Sequence, residues 1–220
     1  SRGFGVADAM DSAQRGIVLD WATSLELIHR STKMARAEVH VIASGAGTDH
    51  LAAGADVTID DVIRAYEEQC EAVEAAGSRV ILMASRALTV AAKGPDDYAR
   101  VYGHILSNLQ NPAILHWLGE MFDPALQGYW GSSDHMTAMD TALTIIGDNA
   151  AKVDGIKISL LSEEKEIAMR RRLPDGVVMY TGDDFNYPAL IEGDNEGFSH
   201  ALLGIFDPIA PAAGRALSQL

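Results

Sequence analysis

The sequence is poor in cysteine, the residue that builds covalent cross-links and many metal clusters. Its 220 residues include one cysteine, Cys70. An intramolecular disulfide is therefore impossible, and a cysteine-based metal site cannot be assembled. Because Cys70 falls on the apolar stripe of a predicted helix, we expect a packed thiol and not a nucleophile.

Long apolar runs and surplus positive charge are also missing. No run approaches the ~20 apolar residues needed to cross a bilayer. Ser1 to Gly5 lack the apolar core of a signal peptide, so we expect a cytoplasmic protein without membrane contact. The 31 acidic and 17 basic residues give a net charge of −14. Because this charge repels phosphate backbones, nucleic-acid binding is not expected.

What the sequence does contain is a regular alternation of short apolar runs and helical stretches. Seven runs predict strands, at Phe4–Ala9, Val39–Ala43, Arg79–Ala84, Ala113–Trp117, Asp154–Ile158, Val177–Tyr180 and Leu202–Phe206. Their continuous hydrophobicity is typical of strands buried on both faces of a parallel sheet. Since no Pro/Ser-rich linker interrupts the alternation, residues 1–220 form one predicted α/β domain.

Helical spacing fills the intervals between these runs. The clearest helix begins after Thr58 with a capping-box pattern and ends at Gly77. Other helices are predicted from Pro95 onward and at Trp21–Arg36, Asp134–Ala150, Ser162–Arg172 and Ala212–Leu220. One methionine-rich face is interpreted as core packing and not as a cofactor site, comprising Met136, Met139, Leu143 and Ile146.

Polar residues recur at the ends of the predicted strands, which favours a barrel over a doubly wound sheet. They are Asp11-Ser12, Ser44-Gly45, Ser85-Arg86, His116, Lys157 to Ser159, Thr181 to Asp184 and Asp207. In a TIM-type (β/α)₈ barrel the carboxyl ends of all strands meet at one mouth. We therefore predict such a barrel. Because closed barrels of this kind have eight strands, we expect that a first βα unit precedes Ser1 and that any C-terminal extension is also lacking here.

Lys157 is the sharpest chemical signal in the sequence. It lies in the otherwise apolar strand Val153–Ser159, where a charged side chain is costly unless it faces a site. Burial lowers the pKa of a lysine and supplies the neutral amine that attacks a carbonyl group. The alternative is an ion pair of Lys157 with Asp183 or Asp184 at the end of the strand.

The segment Gly155-Ile156-Lys157 resembles the Schiff-base lysine strand of the dihydrodipicolinate synthase / N-acetylneuraminate lyase superfamily, the class I aldolase TIM barrels. Tyr180 to Asp184 resembles the Gly-Asp-Asp strand end of that family, Val41 to Gly47 its third strand, and Ala113 to His116 its fifth. Longer stretches, such as Ile114 to Pro124, are more similar to an uncharacterised, divergent branch of the superfamily.

The resemblance implies a homo-oligomeric carbon–carbon lyase or aldolase-like enzyme, without cofactor or metal, whose lysine forms an imine with a 2-keto acid or related carbonyl compound. Lys157 matches the imine-forming lysine. His116 stands at the proton-relay tyrosine, and the near-neutral pKa of an ordinary histidine suits acid/base work. Asp183 or Asp184 is expected to orient the lysine or a substrate hydroxyl.

Two departures from the family pattern affect substrate binding. Asp11-Ser12 stand near the Thr-Thr pair that holds the keto-acid carboxylate, and an aspartate there repels a carboxylate. The arginine that follows the fifth strand in the family is missing. Arg86 is then the basic group placed to bind an anionic substrate, unless it pairs with a neighbouring acid.

These departures leave two alternative functions open. The first is a metal-dependent lyase or hydrolase that uses the acidic mouth, with the candidate ligands Asp8, Asp11, His116, Glu120, Asp183 and Asp184. The second is a barrel without catalysis that serves as a binding subunit.

Overall fold

The computed structural model describes residues 4–11, 14–38 and 41–217, and within them seven strands form one sheet. Spatial order follows sequence order, and all neighbouring strands pair in parallel. The strands are β1 (Val6–Asp8), β2 (Ile42–Ala46), β3 (Arg79–Leu82), β4 (Ala113–Leu118), β5 (Val153–Ser159), β6 (Val178–Thr181) and β7 (His200–Ala201).

Helices separate consecutive strands from β1 to β7. They are α1 (Trp21–Glu38), α2 (Ile59–Ala76), α3 (Arg86–Ala91), α4 (Pro95–Asn108), α5 (His135–Asp148), α6 (Glu163–Arg170) and α7 (Tyr187–Glu192), and α8 (Ala210–Leu217) follows the last strand. Within the described ranges, no helix is long and apolar enough to cross a bilayer. The curled parallel sheet with its connecting helices confirms the predicted TIM-type α/β fold.

Side chains alternate between two packed layers, as the period of two along a strand requires. The outer layer lies between the sheet and the helices and includes Val80, Leu82, Leu115, Trp117, Ile156 and Ile158. The inner layer lies on the concave face and consists of Met10, Ala43, Ile81, Met83 and Ile114, with Tyr180 and Leu202 packed against them. Every second residue of a strand therefore points into the barrel interior, and the residues between them point toward the helices.

Strand β2 begins and ends three residues later than predicted. Ser44 was predicted to follow this strand, but it lies within the strand and is fully buried. Its hydroxyl donates to Asp8 Oδ1 at 2.5 Å and lies 2.8 Å from the hydroxyl oxygen of Ser78. Because Ser44 pairs with Val80 of the outer layer, it faces the helices and is not part of the mouth.

Strand β7 was predicted at the wrong residues. Leu202–Phe206 is the apolar run, but the pairing with β6 joins His200 to Tyr180 and Ala201 to Thr181. The segment Gly204–Phe206 instead forms a 3₁₀ turn. The apolar side chains of Leu202 and Leu203 pack against the core after the strand has ended, which explains why hydrophobicity misplaced it.

Helix α2 confirms the predicted capping signals. The Thr58 hydroxyl accepts the Asp61 backbone N–H, while the Asp61 carboxylate accepts the Thr58 backbone N–H. Gly77 ends the helix with a φ of 87°, which favours glycine, and a Cβ there would overlap the guanidinium of Arg36. Cys70 is buried on this helix, and burial raises the pKa of its thiol far above the usual range, as expected of a packed cysteine.

The methionine-rich face of α5 is core packing only in part. Met139 and Ile146 are fully buried, but Met136 lies in the first turn and is 45% exposed.

The sheet has two edges in the part of the chain that the structure describes. β1 pairs only with β2, and β7 only with β6. Val6 of β1 is 48% exposed. The βα unit expected before Ser1 and the expected C-terminal extension concern polypeptide outside these residues, and both stay predictions.

The cap of α2 yields a stability prediction. Thr58→Ala removes the acceptor for the Asp61 N–H and is expected to lower the free energy of unfolding by about 1 kcal/mol. Thr144→Ala is a matched control, because Thr144 is an exposed residue within α5. Urea denaturation of both variants measures the difference. Equal loss in the two variants would show that the cap makes no special contribution.

Candidate active site

Lys157 and His116 meet inside the barrel because their strands are paired in register. Lys157 of β5 is opposite His116 of β4 on one side and Tyr180 of β6 on the other. Tyr180 belongs to the inner layer, and residues paired across parallel strands share a face. All three side chains therefore enter the interior near the carboxyl ends of their strands, as predicted for Lys157 and His116.

Lys157 is partly buried and carries no partner at bonding distance among the described residues. Burial lowers the pKa of its ammonium group to about 8, and the negative charges of Asp184 and Asp11 oppose this effect. The predicted alternative of an ion pair with Asp183 or Asp184 is therefore not formed. About one-tenth of the amine is neutral at pH 7, because each pH unit below the pKa reduces the neutral fraction tenfold.

Gly182 provides the space that the Lys157 side chain occupies. A Cβ at this position would lie 2.6 Å from Lys157 Cε and would overlap the hydroxyl of Ser159. Real Cβ atoms do not approach other atoms this closely, so a side chain at residue 182 would displace the lysine. The Gly-Asp-Asp strand end therefore has a physical role in placing the amine.

His116 is buried and held in its neutral form. Its Nε2 lies 3.4 Å from the Ser159 hydroxyl oxygen, and its Nδ1 has no hydrogen-bond partner in the described part of the chain. Burial, with a further contribution from the positive charge of Lys157, moves the pKa of His116 well below its usual value. The expectation of a near-neutral pKa is therefore wrong. His116 enters any reaction as an uncharged imidazole that accepts or donates one proton.

Tyr180 faces Lys157 across the strand pair but does not direct its hydroxyl to the amine. The hydroxyl donates to Asp154 Oδ2 at 2.8 Å, and Asp154 lies at the beginning of β5. Burial, followed by this bond to Asp154, raises the pKa of Tyr180. The Tyr180 hydroxyl is therefore bonded at the amino end of β5, away from the Lys157 amine, and does not donate a proton there.

The two aspartates of the Gly-Asp-Asp strand end do different work. Asp183 is buried, its Oδ1 accepts the backbone N–H groups of Phe185 and Asn186, and its Oδ2 accepts the Asn186 side-chain amide. Asp184 is exposed, and its negative charge raises the pKa of Lys157 more than that of Asp11 does. Asp183 therefore shapes the turn, and Asp184 belongs to the electrostatic environment of the amine.

Arg86 pairs with an acid, which is the alternative that the sequence left open. Its Nε donates to Asp123 Oδ2 at 2.6 Å, and its Nη1 donates to the carbonyl oxygen of Arg15. A cavity of about 160 Å³ lies beside it, between the loops that follow β1, β2, β3 and β4. Its lining includes Arg15, Gly47, Asp49, Met83, Arg86 and Asp123. Lys157 and His116 do not line this cavity, so the structure does not bring Arg86 to the amine.

Arg15 is a central residue of the mouth that sequence reasoning missed. It is 1% exposed, and its guanidinium donates to both Asp49 oxygens, to Gln69 Oε1 and to the carbonyl oxygens of Ala9 and Gly45. These five acceptors use all five N–H groups of the side chain. Asp49 lies 34 residues away in sequence, so no local pattern predicts the pairing.

The remaining acidic candidates are scattered. The Asp11 carbonyl oxygen accepts the Gln14 and Arg15 backbone N–H groups, while Ser12 lies outside the described residues. Asp8 bonds Ser44 on the outer face, and Glu120 Oε2 lies 3.0 Å from His135 Nε2. In the described ranges, no group of three His, Cys, Asp or Glu residues is arranged to hold a metal ion. The six candidate metal ligands of the sequence analysis are therefore not brought together.

Comparison with known proteins agrees with the architecture. A family model described as "Protein of unknown function (DUF993)" matches residues 1–220. No curated protein is detectably similar in sequence to this chain.

Several solved structures share the fold. A dihydrodipicolinate synthase family protein from Coccidioides immitis has a TM-score of 0.67 at 17% identity, over 98% of this chain and 59% of its own. A dihydrodipicolinate synthetase from Pseudomonas aeruginosa has a TM-score of 0.66 at 16% identity, over 99% and 64%. A 2-keto-3-deoxygluconate aldolase from Picrophilus torridus has a TM-score of 0.55 at 17% identity, over 82% and 56%.

These structures confirm the resemblance to the dihydrodipicolinate synthase / N-acetylneuraminate lyase superfamily at the level of fold. The chain spans less than two thirds of the length of each of these structures.

The environment of Lys157 predicts the pH dependence of its amine. Because only the neutral amine is acylated, acetylation of Lys157 should rise with pH and reach half its maximum near pH 8. Asp184→Asn removes a charge that stabilises the ammonium form, so the midpoint should move to lower pH. Competitive acetylation read by peptide mass spectrometry measures both midpoints. Asp56→Asn changes the same charge at an exposed loop position and should leave the midpoint in place. A midpoint near the model-peptide value in the unmodified protein would contradict the assignment.

Proposed function

This chain belongs to the DUF993 family, and we propose that it is a carbon–carbon lyase or aldolase that works through an imine on Lys157. The proposal is supported by the lowered pKa of this lysine and by its position inside a TIM-type barrel. The observation that carries this proposal is the state of Lys157. It faces the interior, pairs with no acid and lies in register with a neutral His116. A lysine held this way meets the requirements of an amine nucleophile.

The proposed reaction begins when neutral Lys157 Nζ attacks the carbonyl carbon of a small-molecule substrate. Proton transfer to the carbonyl oxygen lets it leave as water and gives the protonated imine. In cleavage, the hydroxyl on the carbon one bond beyond the imine's α-carbon loses its proton, the carbon–carbon bond breaks, and that fragment leaves as an aldehyde or ketone while the bonding electrons form an enamine. In the addition direction, the α-carbon of the protonated imine loses a proton to give the same enamine. Protonation of the enamine and addition of water return the free lysine.

His116 is proposed to move the protons in these steps. A neutral imidazole presents one donor and one acceptor nitrogen, so it can take a proton from an intermediate and return it. Ser159, whose hydroxyl lies between His116 Nε2 and the Gly182 backbone, is placed to bond a substrate oxygen. Asp184 and Asp11 favour the ammonium form of the amine and so oppose the effect of burial. Ser12 and Arg86 were expected to bind the substrate's polar end. Arg86 is instead paired with Asp123, and a contribution of Ser12 stays a prediction.

Cellular location and assembly complete the proposal. We place the protein in the cytoplasm as a homo-oligomer without affinity for nucleic acid, on the resemblance and on the net charge of −14. A strict monomer in sedimentation would contradict the expected homo-oligomer. Salt-sensitive retention on RNA would contradict the expected lack of affinity for nucleic acid.

Reductive trapping tests the imine. Incubation with a panel of small carbonyl compounds and sodium cyanoborohydride is expected to add one substrate-derived mass at Lys157, because hydride converts the imine to a stable secondary amine. Lys157→Arg should remove this label and the associated turnover, because a guanidinium does not form the imine. Lys33→Arg, at an exposed position of α1, is the matched control and should keep both.

The same variants separate the alternative functions. A metal-dependent enzyme would keep activity in Lys157→Arg and lose it on treatment with EDTA. A binding subunit would be inert toward every carbonyl compound and indifferent to EDTA. Either pattern contradicts the imine mechanism.

A further inference from the structure

We propose that Lys165 is a site of acyl modification, separate from the interior that holds Lys157. A thioester of a carboxylic acid transfers its acyl group to the Lys165 amine, with His135 as the general base and Glu120 as the group that orients this base. The inference does not depend on the imine mechanism, because it concerns different side chains on the helix side of the sheet.

The connections after two neighbouring strands bring the three side chains together. Glu120 follows β4 by two residues, His135 is the first residue of α5, and Lys165 lies in the first turn of α6, the helix that follows β5. The backbone N–H of Gly119 donates to the carbonyl oxygen of Ser159 at 3.0 Å, which holds the ends of the two strands together. The cluster therefore lies at the mouth end of the barrel.

The three side chains form a hydrogen-bonded chain. Lys165 Nζ lies 2.7 Å from His135 Nδ1, and His135 Nε2 lies 3.0 Å from Glu120 Oε2. Because an ammonium group only donates, Nδ1 accepts its proton and Nε2 carries the hydrogen that Glu120 accepts. An amine within hydrogen-bond reach of a base, which is itself oriented by a third group, is the arrangement of an activated nucleophile.

Packing fixes the base and leaves the amine accessible. The side chain of His135 is 14% exposed, and its ring packs edge-on against Trp117, with 6.0 Å between the ring centroids. Trp117 belongs to the outer layer, so the imidazole lies on the helix side of the sheet. Lys165 is partly exposed. A reagent in solution therefore reaches an amine whose base is already in place.

The base acts when the amine nitrogen becomes positively charged. The Lys165 ammonium group first loses one proton to water, and the neutral amine then attacks the carbonyl carbon of the thioester. In the tetrahedral adduct the attacking nitrogen is cationic, and His135 Nδ1 takes a proton from it. The carbon–sulfur bond breaks, and the thiolate leaves with the bonding electrons. An amide remains on Lys165, and the imidazolium returns its proton to the thiolate.

This arrangement suits a thioester as the acyl donor. An ordinary thiol has a pKa of ~8.5, so a thiolate departs without waiting for a proton. The Glu120 carboxylate stabilises the imidazolium that forms on His135, as the carboxylate does in a hydrolytic triad. A site built from a base and its orienting carboxylate therefore supplies what this reaction needs.

Acetylation by a small uncharged thioester tests the site. The whole protein is incubated at pH 8 with S-acetyl-N-acetylcysteamine, the remaining amines are blocked with deuterated acetic anhydride, and peptide mass spectrometry gives the rate at each lysine. Lys165 is expected to react about tenfold faster than Lys33 of α1 and Lys93 before α4, both of which are exposed. A rate no higher than theirs would show that the hydrogen bond merely holds the ammonium form, and it would overturn the proposal.

Variants of the base and of its partner test the cause of the reactivity. His135→Gln removes the base and is expected to lower the Lys165 rate to about that of Lys33. Glu120→Gln keeps the imidazole on Trp117 and removes the orienting charge, so the rate should fall about threefold. Because Glu120→Gln leaves the packed ring in place, the test does not depend on the folding of His135→Gln.

A second histidine–glutamate pair provides the matched control. His104 Nε2 lies 2.7 Å from Glu67 Oε1 at an exposed position of α4. His104→Gln removes an imidazole of the same kind and should leave the Lys165 rate unchanged. If Lys165 stays equally fast in His135→Gln and Glu120→Gln, its reactivity has another source and the proposed site is wrong.

Discussion

The parallel register of β4, β5 and β6 is the constraint on which the site depends. In a strand, successive side chains point to opposite faces, so a shift of one residue would turn the whole set around. In the observed register His116, Lys157 and Tyr180 share the inner face. Shifted by one, β5 would direct its ammonium group toward the layer that holds Ile156, Ile158 and Trp117. The cost of burying a charge there favours the observed register, as the apolar packing also does.

The two titratable groups at the centre of this register influence each other. Burial disfavours the charged form of both, and the positive charge of Lys157 further lowers the pKa of His116. The imidazole is neutral for this reason, and it adds no positive charge that would repel the ammonium. The carboxylates of Asp184 and Asp11 keep the pKa of Lys157 near 8, where proton loss remains accessible in neutral solution. The pKa of the amine thus reflects burial as the larger effect and the two carboxylates as the smaller, opposing one.

Most of the architecture was predictable from local patterns, because periodicity and capping act within a few residues. The capping box at Thr58, the stop at Gly77 and the buried lysine strand were all evident in this way. Features that depend on distant residues were not. The β2 boundary moved because buried Ser44 finds partners in Asp8 and Ser78, which are 36 and 34 residues away in sequence. Strand β7 was misplaced because its pairing residues are not its most apolar ones.

The same limit applies to the mouth of the barrel. Arg86 was predicted to bind the substrate because it follows a strand, but it pairs with Asp123, which lies 37 residues away in sequence. No sequence pattern indicated a role for Arg15, although its side chain bonds the segments around Ala9, Gly45 and Asp49 to one another. Charged residues near a site were thus identifiable, but their partners were not, and the partners decide which charges a ligand meets.

The strand end Gly182-Asp183-Asp184 shows why adjacent residues of one type take different roles. The side chain of Asp183 turns inward and accepts three N–H groups from the two residues that begin the next segment. This fixes the turn, and the turn keeps the Gly182 backbone against the lysine side chain. Asp184, one residue later, is left exposed at the mouth, where its charge acts on the amine. A less rigid turn would let both the Asp184 carboxylate and the Gly182 backbone move away from Lys157. The buried aspartate therefore stabilises the geometry through which the exposed one acts.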